Sequence, residues 1–197
     1  MVAPADSGVV IGDDGVARCW WCGDDPLYRA YHDDDWGQPM RDERSLFELL
    51  CLEGFQAGLA WITILRKREG FRSAFEGFDL DKVAAFGEGD VERLLADAGI
   101  VRHRGKITAT IANARAVLSL HEQGRSLSEL VWSHAPAPRS EALRSIEEIP
   151  AKTPESIALA KALRRAGMRF VGPTTVYAFM QSAGIVDDHL AGCHRAR

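Results

Sequence analysis

The chain has 197 residues, of which 46% are hydrophobic and 26% are charged. This balance predicts a soluble folded domain and argues against both a disordered chain and two independent domains. The formal net charge of -4 gives no support for general binding to nucleic acid through an overall positive charge. Basic residues do cluster at 66–68, 102–106 and 161–169, so the sequence is compatible with one locally positive face.

Two further features bear on where the protein works. No apolar run reaches the roughly 20 residues that a membrane-spanning helix needs, and the first residues lack the basic start of a secretory signal. We therefore expect a cytoplasmic protein with no membrane partner. The four cysteines do not follow the pattern of a small disulfide-stapled domain, so metal binding or free thiols are the expected uses.

The pattern of apolar residues divides the chain into two parts. Residues 1–17 are small, polar and acidic without periodicity, and we interpret them as a flexible N-terminal extension. In residues 18–197, apolar residues recur at helical spacing and no strand pattern is evident. We expect this part to form a single all-α domain of roughly eight to ten helices.

Helix start and stop residues mark the first half of this domain. Asp42 is placed to cap a helix that is interrupted at Gly54 and Gly58, where we expect a bend. Residues 61–68 then continue in helical register. Asp90 is placed to cap a further helix that begins at the next residue.

The second half of the domain carries equally clear signals. Residues 106–121 form a long amphipathic stretch, and Ser126 with Glu129 matches a capping box. A threonine and a proline start a helix over residues 153–167, and a last helix is expected over residues 174–183. The turn between these two would expose backbone amides at a helix N-terminus, which suits a phosphate, although most such pairs simply pack helices together.

Possible metal ligands occur near both ends of the domain. They are Cys19, Cys22 and His32 near its start, and His189, Cys193 and His194 near its end. His189 and Cys193 are four residues apart, so on a helix they would project from one face. Two thiolates and two imidazoles are a common closed set of zinc ligands, and such an ion would join the first segment to the last. Cys22 and His194 leave the choice of ligands open, and buried thiols with surface histidines are the alternative.

Glu53 is a carboxylate inside a strongly apolar helical run. Aromatic residues are dense around it in the sequence: Tyr28, Tyr31, Trp36 and Trp61. A carboxylate beside aromatic faces suits a planar cation, which gains both Coulomb attraction and cation–π contact. On the pattern alone, however, the favoured interpretation is that Glu53 ends a helix and the tryptophans belong to the core.

Short motifs spread over almost the whole chain together indicate a family resemblance. In chain order they are Arg18-Cys19, Asp25-Pro26-Leu27-Tyr28, Ala30-Tyr31-His32-Asp33, Trp36-Gly37, Leu52-Glu53-Gly54, Gln56-Ala57-Gly58-Leu59, Trp61-Ile62-Thr63, Asp97-Ala98-Gly99-Ile100, Arg102-His103-Arg104-Gly105-Lys106, Phe170-Val171-Gly172, Asp188-His189 and Gly192-Cys193. Together they resemble the DNA-3-methyladenine glycosylase I family. That family belongs to the helix-hairpin-helix DNA glycosylases, so the resemblance implies an all-α fold with a DNA-binding hairpin, best matched by residues 170–174.

The resemblance also implies a zinc site and its ligands. The family has one structural zinc that joins its two ends, and its ligands fall on Cys19, His32, His189 and Cys193. This choice excludes Cys22. Two cysteines and two histidines fill the coordination of the ion, so the site would have no open position for a water.

The resemblance further implies a base-binding pocket. The glutamate, tyrosine and tryptophan that hold the alkylated base match Glu53, Tyr31 and Trp61, with Tyr28 in the same pocket. Of these, Glu53 and Tyr31 are the expected catalytic residues. Leu59 matches a position near the gap that the flipped base leaves in the DNA.

The hairpin departs from the pattern of the wider superfamily at one position. Gly172 fits that pattern, but a second glycine usually stands where this chain has Thr174. We expect Leu59, Gly172 and Thr174 to contact DNA, with a less close approach to phosphate at Thr174.

These implications predict a monofunctional DNA glycosylase of base excision repair. It would act as a monomer on double-stranded alkylated DNA, flip out 3-methyladenine and hydrolyse its N-glycosidic bond, releasing the free base and leaving an abasic site. One alternative is a non-catalytic, zinc-stapled DNA-binding module. Another is a zinc hydrolase, which would need an open coordination position.

Asp187 matches the position at which other helix-hairpin-helix glycosylases carry a catalytic aspartate. Members of the glycosylase I family are described as lacking that group. Here the aspartate would either stabilise positive charge on the sugar or cap the helix that carries His189 and Cys193. We favour the helix cap.

Overall fold

Helices account for most of residues 7–196, the part of the chain that the computed structural model describes, and this confirms the predicted helical class. The α-helices of this part are α1 (Pro26–Ala30), α2 (Glu43–Gln56), α3 (Trp61–Leu65), α4 (Arg68–Ala74), α5 (Leu80–Ala85), α6 (Glu88–Ala96), α7 (Arg104–Glu122), α8 (Leu127–Trp132), α9 (Pro154–Arg165) and α10 (Pro173–Ser182). A single π-helical turn, Tyr31–Asp35, continues α1, and short 3-10 turns occupy Trp20–Cys22, Glu76–Phe78 and Ile146–Glu148. None of the described helices is long and apolar enough to cross a membrane.

A small antiparallel hairpin precedes the helices. Strand β1 (Val9–Ile11) pairs with strand β2 (Ala17–Cys19). The sequence analysis found no strand pattern from residue 18 onward and so missed β2, because three-residue strands are too short to produce an alternating pattern. Residues 1–6 of the predicted flexible extension lie outside the described residues. The rest of that extension contains β1, and its flexibility stays a prediction.

Local capping explains where several helices begin. The Asp42 carboxylate accepts a hydrogen bond from the Ser45 backbone at the start of α2, as predicted. The predicted capping box of Ser126 and Glu129 is also present at the start of α8. Asp90 is different, because it lies inside the first turn of α6 and accepts from the Gly87 backbone. The predicted start of α6 was therefore a few residues too late.

Helix α2 lies at the centre of the molecule. Every residue from Leu46 to Phe55 is buried, so the helix is enclosed on all sides instead of presenting one face to water. Helices α7 and α10 pack against it. A cluster of phenylalanines, with Phe55 and Phe71 4.6 Å apart between ring centroids, extends this core toward α4. The burial of α2 places Glu53 deep inside the protein.

Helices α9 and α10 pack against each other and are joined by residues 166–172. Two backbone conformations shape this connection: Gly167 has a φ of 98° and Phe170 a φ of 55°. A left-handed conformation is unusual for a phenylalanine and requires support from its surroundings. The Asn113 side chain of α7 supplies it by bonding both the backbone N–H and the carbonyl of Arg169.

Candidate active site and metal-ligand cluster

A cavity of about 280 Å³ lies between α2, the segment around α1, and α10. Its lining consists of Trp20, Trp21, Tyr28, Tyr31, Trp36, Glu53, Gln56, Trp61, Ile149, Ala178, Gln181 and Ser182. Its volume is close to the lower end of the range for small-molecule sites, about 300 Å³. The fold therefore brings together at one cavity all four residues that were predicted to bind a base.

Glu53 is the buried acid of this cavity. Its side chain is 3% exposed, and Oε1 accepts a hydrogen bond of 2.9 Å from the Ser182 hydroxyl. Burial raises the pKa of Glu53 to about 8, although the bond from Ser182 opposes the shift. Without a neighbouring cation, the carboxyl is therefore mainly protonated at neutral pH. A cation in the cavity would favour the ionised form.

Two other groups in the cavity are buried without a hydrogen bond. The Tyr31 hydroxyl and the Trp61 indole N–H have no partner among the described residues. Their rings are adjacent, with centroids 5.5 Å apart, and Tyr28 lies 6.5 Å from Tyr31. Buried polar groups are nearly always paired in folded proteins, so these two groups are suited to a ligand that is both aromatic and polar at its edge.

The structure also assigns to the cavity residues that the sequence did not single out. Ser182, the hydrogen-bond donor to Glu53, is 129 residues away in the sequence. Trp21 lies 5.1 Å from Tyr28 and 5.0 Å from Trp36 between ring centroids, and so completes one aromatic wall. No local pattern distinguishes a serine of this kind from the many that only end helices. Trp21 could have been predicted, because the pair Trp20-Trp21 lies only a few residues before Tyr28 and Tyr31 in the sequence.

Three of the four predicted metal ligands form a buried cluster. Ligand atoms of Cys19, His32 and Cys193 all lie within 4.8 Å of one another. The fourth, His189, is adjacent, because its ring lies 5.2 Å from the ring of His32. Its Nε2 atom is buried and has no partner among the described residues. These are the features expected of a ligand that faces the cluster.

Each histidine of this group is oriented by a carboxylate. His32 Nδ1 lies 2.8 Å from Asp33, and His189 Nδ1 lies 2.8 Å from Asp187. These contacts leave Nε2 of each ring facing the cluster, where that of His32 lies 3.3 Å from the Cys19 backbone nitrogen and 3.5 Å from the Cys193 sulfur. Ligating histidines usually have such a carboxylate on the other ring nitrogen, so the arrangement fits a metal site.

The geometry corrects two details of the sequence analysis. Residues 187–193 are not helical, and Leu190 instead forms a bridge with Leu143. His189 and Cys193 are therefore not one turn apart on a helix face, and Asp187 does not cap a helix. The Asp187 carboxylate accepts from the backbone of His189 and contacts its ring. Cys22 lies outside the cluster, and its thiol donates to the Cys19 carbonyl.

A second and larger cavity of about 710 Å³ is lined by residues around Trp132, Arg139 and Val186. Both Asp187 and His189 line it, whereas none of the predicted base-binding residues does. Asp187 therefore borders a different cavity from Glu53. This position favours a role in orienting His189 over a role beside a base in the smaller cavity.

The three predicted DNA-contacting residues lie on two separate elements. Leu59 is 39% exposed and lies in the turn between α2 and α3, between Gln56 and Trp61, which line the smaller cavity. Gly172 is the N-cap residue of α10, and Thr174 lies in the first turn of that helix. All three are at the ends of helices: Leu59 follows the C-terminal end of α2, and Gly172 and Thr174 are at the N-terminal end of α10.

Residues 21–196 match the methyladenine glycosylase family. The chain belongs to this family. Membership in the methyladenine glycosylases confirms the resemblance that the sequence motifs predicted and the enzyme class that it implied.

Individual relatives agree with the family. The chain is 53% identical to DNA-3-methyladenine glycosylase 1 of Escherichia coli (strain K12), over 90% of this chain and 96% of that relative. It is similar to a crystal structure of 3-methyladenine DNA glycosylase I, with a TM-score of 0.89, 52% identity, and coverage of 91% and 100% of the two chains. It also resembles a tyrosine variant of 3-methyladenine DNA glycosylase I in complex with 3-methyladenine, with a TM-score of 0.82, 37% identity, and coverage of 86% and 92%. This methyladenine glycosylase therefore shares its fold with a relative that was crystallised with the free base.

Proposed function

We propose that this methyladenine glycosylase excises 3-methyladenine from alkylated double-stranded DNA as a step of base excision repair. Hydrolysis of the N-glycosidic bond would release the free base and leave an abasic site. The observation that carries the proposal is the cavity in which buried Glu53 meets the unpaired polar groups of Tyr31 and Trp61.

The chemistry follows from the charge of the substrate. Methylation makes the adenine cationic while it is joined to the sugar, so the bond is weakened and the base leaves as a neutral molecule. Glu53 would attract this cation and accept hydrogen bonds from the adenine edge. Tyr31 would add a hydrogen bond, and Trp61 with Tyr28 would provide aromatic contact. Normal adenine is neutral and gains nothing from the charge of Glu53, so the cavity selects the damaged base.

The metal-ligand cluster has a structural role in this proposal. Cys19, His32, His189 and Cys193 would hold one zinc ion, which supplies a link between segments that are distant in sequence. These four side chains are between 0% and 5% exposed, so the ion would have no access to a substrate. This burial counts against the alternative of a zinc hydrolase, which needs an open coordination position.

The DNA would approach the mouth of the smaller cavity. Leu59 would fill the gap that the flipped nucleotide leaves, and the backbone at Gly172 and Thr174 would meet a phosphate. We also propose that the protein acts as a monomer. A non-catalytic DNA-binding module would have no use for a buried acid beside unpaired polar groups.

A base-release assay tests the function directly. Duplex DNA treated with a methylating agent is incubated with the protein, and the released bases are separated by chromatography. We expect free 3-methyladenine and no strand cleavage, with no release from untreated DNA. Release no faster than in the absence of protein, from a folded preparation with its metal bound, would contradict the proposal.

A further inference from the structure

Lys106 is a buried lysine that bonds to the end of another helix. It lies on α7, its side chain is largely buried, and Nζ donates to the carbonyls of Phe55 and Ala57 at 2.8 Å each. These carbonyls belong to the last turn of α2 and to its C-cap residue, where helix carbonyls lack partners and carry partial negative charge. Lys106 therefore fixes the C-terminal end of the helix that carries Glu53.

The turn that follows this end of α2 forms the rim of the base cavity. Gly58 has a φ of 88°, which favours glycine, and Leu59 is exposed. The Gln56 side chain donates to the Leu59 carbonyl at 2.7 Å. Gln56 and Trp61 on either side of the turn line the cavity. The turn is thus held by Lys106 at its start and stands at the cavity mouth.

The same face of α7 holds the second element proposed to meet DNA. Asn113 is seven residues after Lys106, two helical turns along, and it bonds both backbone groups of Arg169. Arg169 leads directly into Phe170 and Gly172 at the connection to α10. One rigid helix thereby sets the spacing between the turn at Gly58 and the connection at Gly172.

We propose that Lys106 is a positioning residue for excision from duplex DNA. It holds the turn that carries Leu59 in a fixed relation to α7, and so to the connection that Asn113 holds. The inference rests on the proposed function, in which both elements contact DNA. Lys106 does not line the base cavity, so its effect should be separable from recognition of the base itself.

The test replaces the lysine by an uncharged side chain of similar length. Lys106→Met should reduce the single-turnover rate of excision from methylated duplex by at least about tenfold, or roughly 1.4 kcal/mol in the barrier. Affinity for free 3-methyladenine, measured by calorimetry, should stay within about twofold of the unaltered protein. Lys82→Met is the control for the loss of one positive charge, because Lys82 bonds the Glu76 side chain and lies outside the three basic clusters; its excision rate should be unchanged.

Three outcomes would overturn the inference. Normal excision by Lys106→Met would show that the contact only adds stability, and so would a parallel loss of excision and free-base affinity. If Lys106→Met does not fold, Gly58→Ala provides the same test, because its added methyl meets open space and only strains the turn. Normal excision by that variant would also overturn the inference. Leu59→Ala distinguishes two failures. Normal excision by this variant would mean that the turn does not act on DNA, whereas absence of excision by the unaltered protein would contradict the proposed function itself.

Discussion

Replacing Glu53 by glutamine should stabilise the protein more at pH 8 than at pH 5 and should weaken binding of its base. The buried carboxyl has a pKa of about 8 instead of 4.5, and one pKa unit corresponds to about 1.4 kcal/mol. Above pH 4.5 the unfolded chain gives up this proton while the folded chain keeps it. The contribution of Glu53 to stability is therefore greatest below that pH and is lost as the pH rises toward 8.

The magnitude follows from the same two pKa values. Between about pH 5 and pH 8, ionisation of this one group should lower the free energy of unfolding by about 3 kcal/mol. Glutamine has the same size, does not ionise, and can still accept the hydrogen bond from Ser182. The free energy of unfolding of Glu53→Gln minus that of the unaltered protein should thus be about 3 kcal/mol larger at about pH 8 than at about pH 5.

Urea unfolding of both proteins, followed by circular dichroism at the two pH values, measures this difference. Comparison of the two proteins cancels the titration of every other group. Calorimetry with free 3-methyladenine should show at least about tenfold weaker binding by Glu53→Gln, or roughly 1.4 kcal/mol, because an uncharged amide accepts weaker hydrogen bonds from the adenine edge than a carboxylate does. A stability difference that does not change with pH would refute the argument from burial, and unchanged affinity with an intact fold would remove Glu53 from the site.

Three further predictions concern residues around the two sites. Cys193→Ser should bind less than one zinc per chain by elemental analysis and unfold at a lower temperature, and full metal content would refute the ligand assignment. Asp187→Asn should keep its zinc, its stability and an excision rate within about tenfold, or roughly 1.4 kcal/mol, because an amide oxygen can still accept from His189. A rate more than about a hundredfold lower with the metal retained would instead make Asp187 catalytic. Ser182→Ala removes the hydrogen bond that opposes the upward shift of the Glu53 pKa. This pKa should therefore rise above about 8, and the affinity for 3-methyladenine at neutral pH should fall. An unchanged pKa of Glu53 in an NMR titration would contradict this.

Interactions between residues that are close in the sequence could be predicted most easily. Ser126 and Glu129 are three apart, so their capping box could be predicted without knowledge of the fold. The resemblance carried the choice of Glu53 and Trp61, for which the sequence pattern alone favoured a helix end and an ordinary core. Ser182 and Lys106 act on α2 from distant parts of the chain, and no local pattern reveals such partners.

The errors have a common physical origin. The segment with His189 and Cys193 was predicted to be helical from their spacing, yet it is held by contacts with residues far away, including the bridge between Leu190 and Leu143. The strand β1 likewise exists because it pairs with β2. In both places tertiary contacts decide the backbone conformation, whereas propensity and spacing describe only the local chain.

The contacts between the two ends of the domain also constrain when the protein can mature during synthesis. The backbone of Leu190 bonds to the Cys19 sulfur, and the backbone of His194 bonds to the Ala17 carbonyl, across 171 and 177 residues respectively. A ribosome must release almost the entire polypeptide before these partners can meet, since domains form as their residues emerge. Until then Cys19 and His32 are exposed on a nascent chain without their partners. Delivery of the metal would therefore be among the last events in the biogenesis of this repair protein, and premature termination near residue 190 would leave a helical core without its closing link.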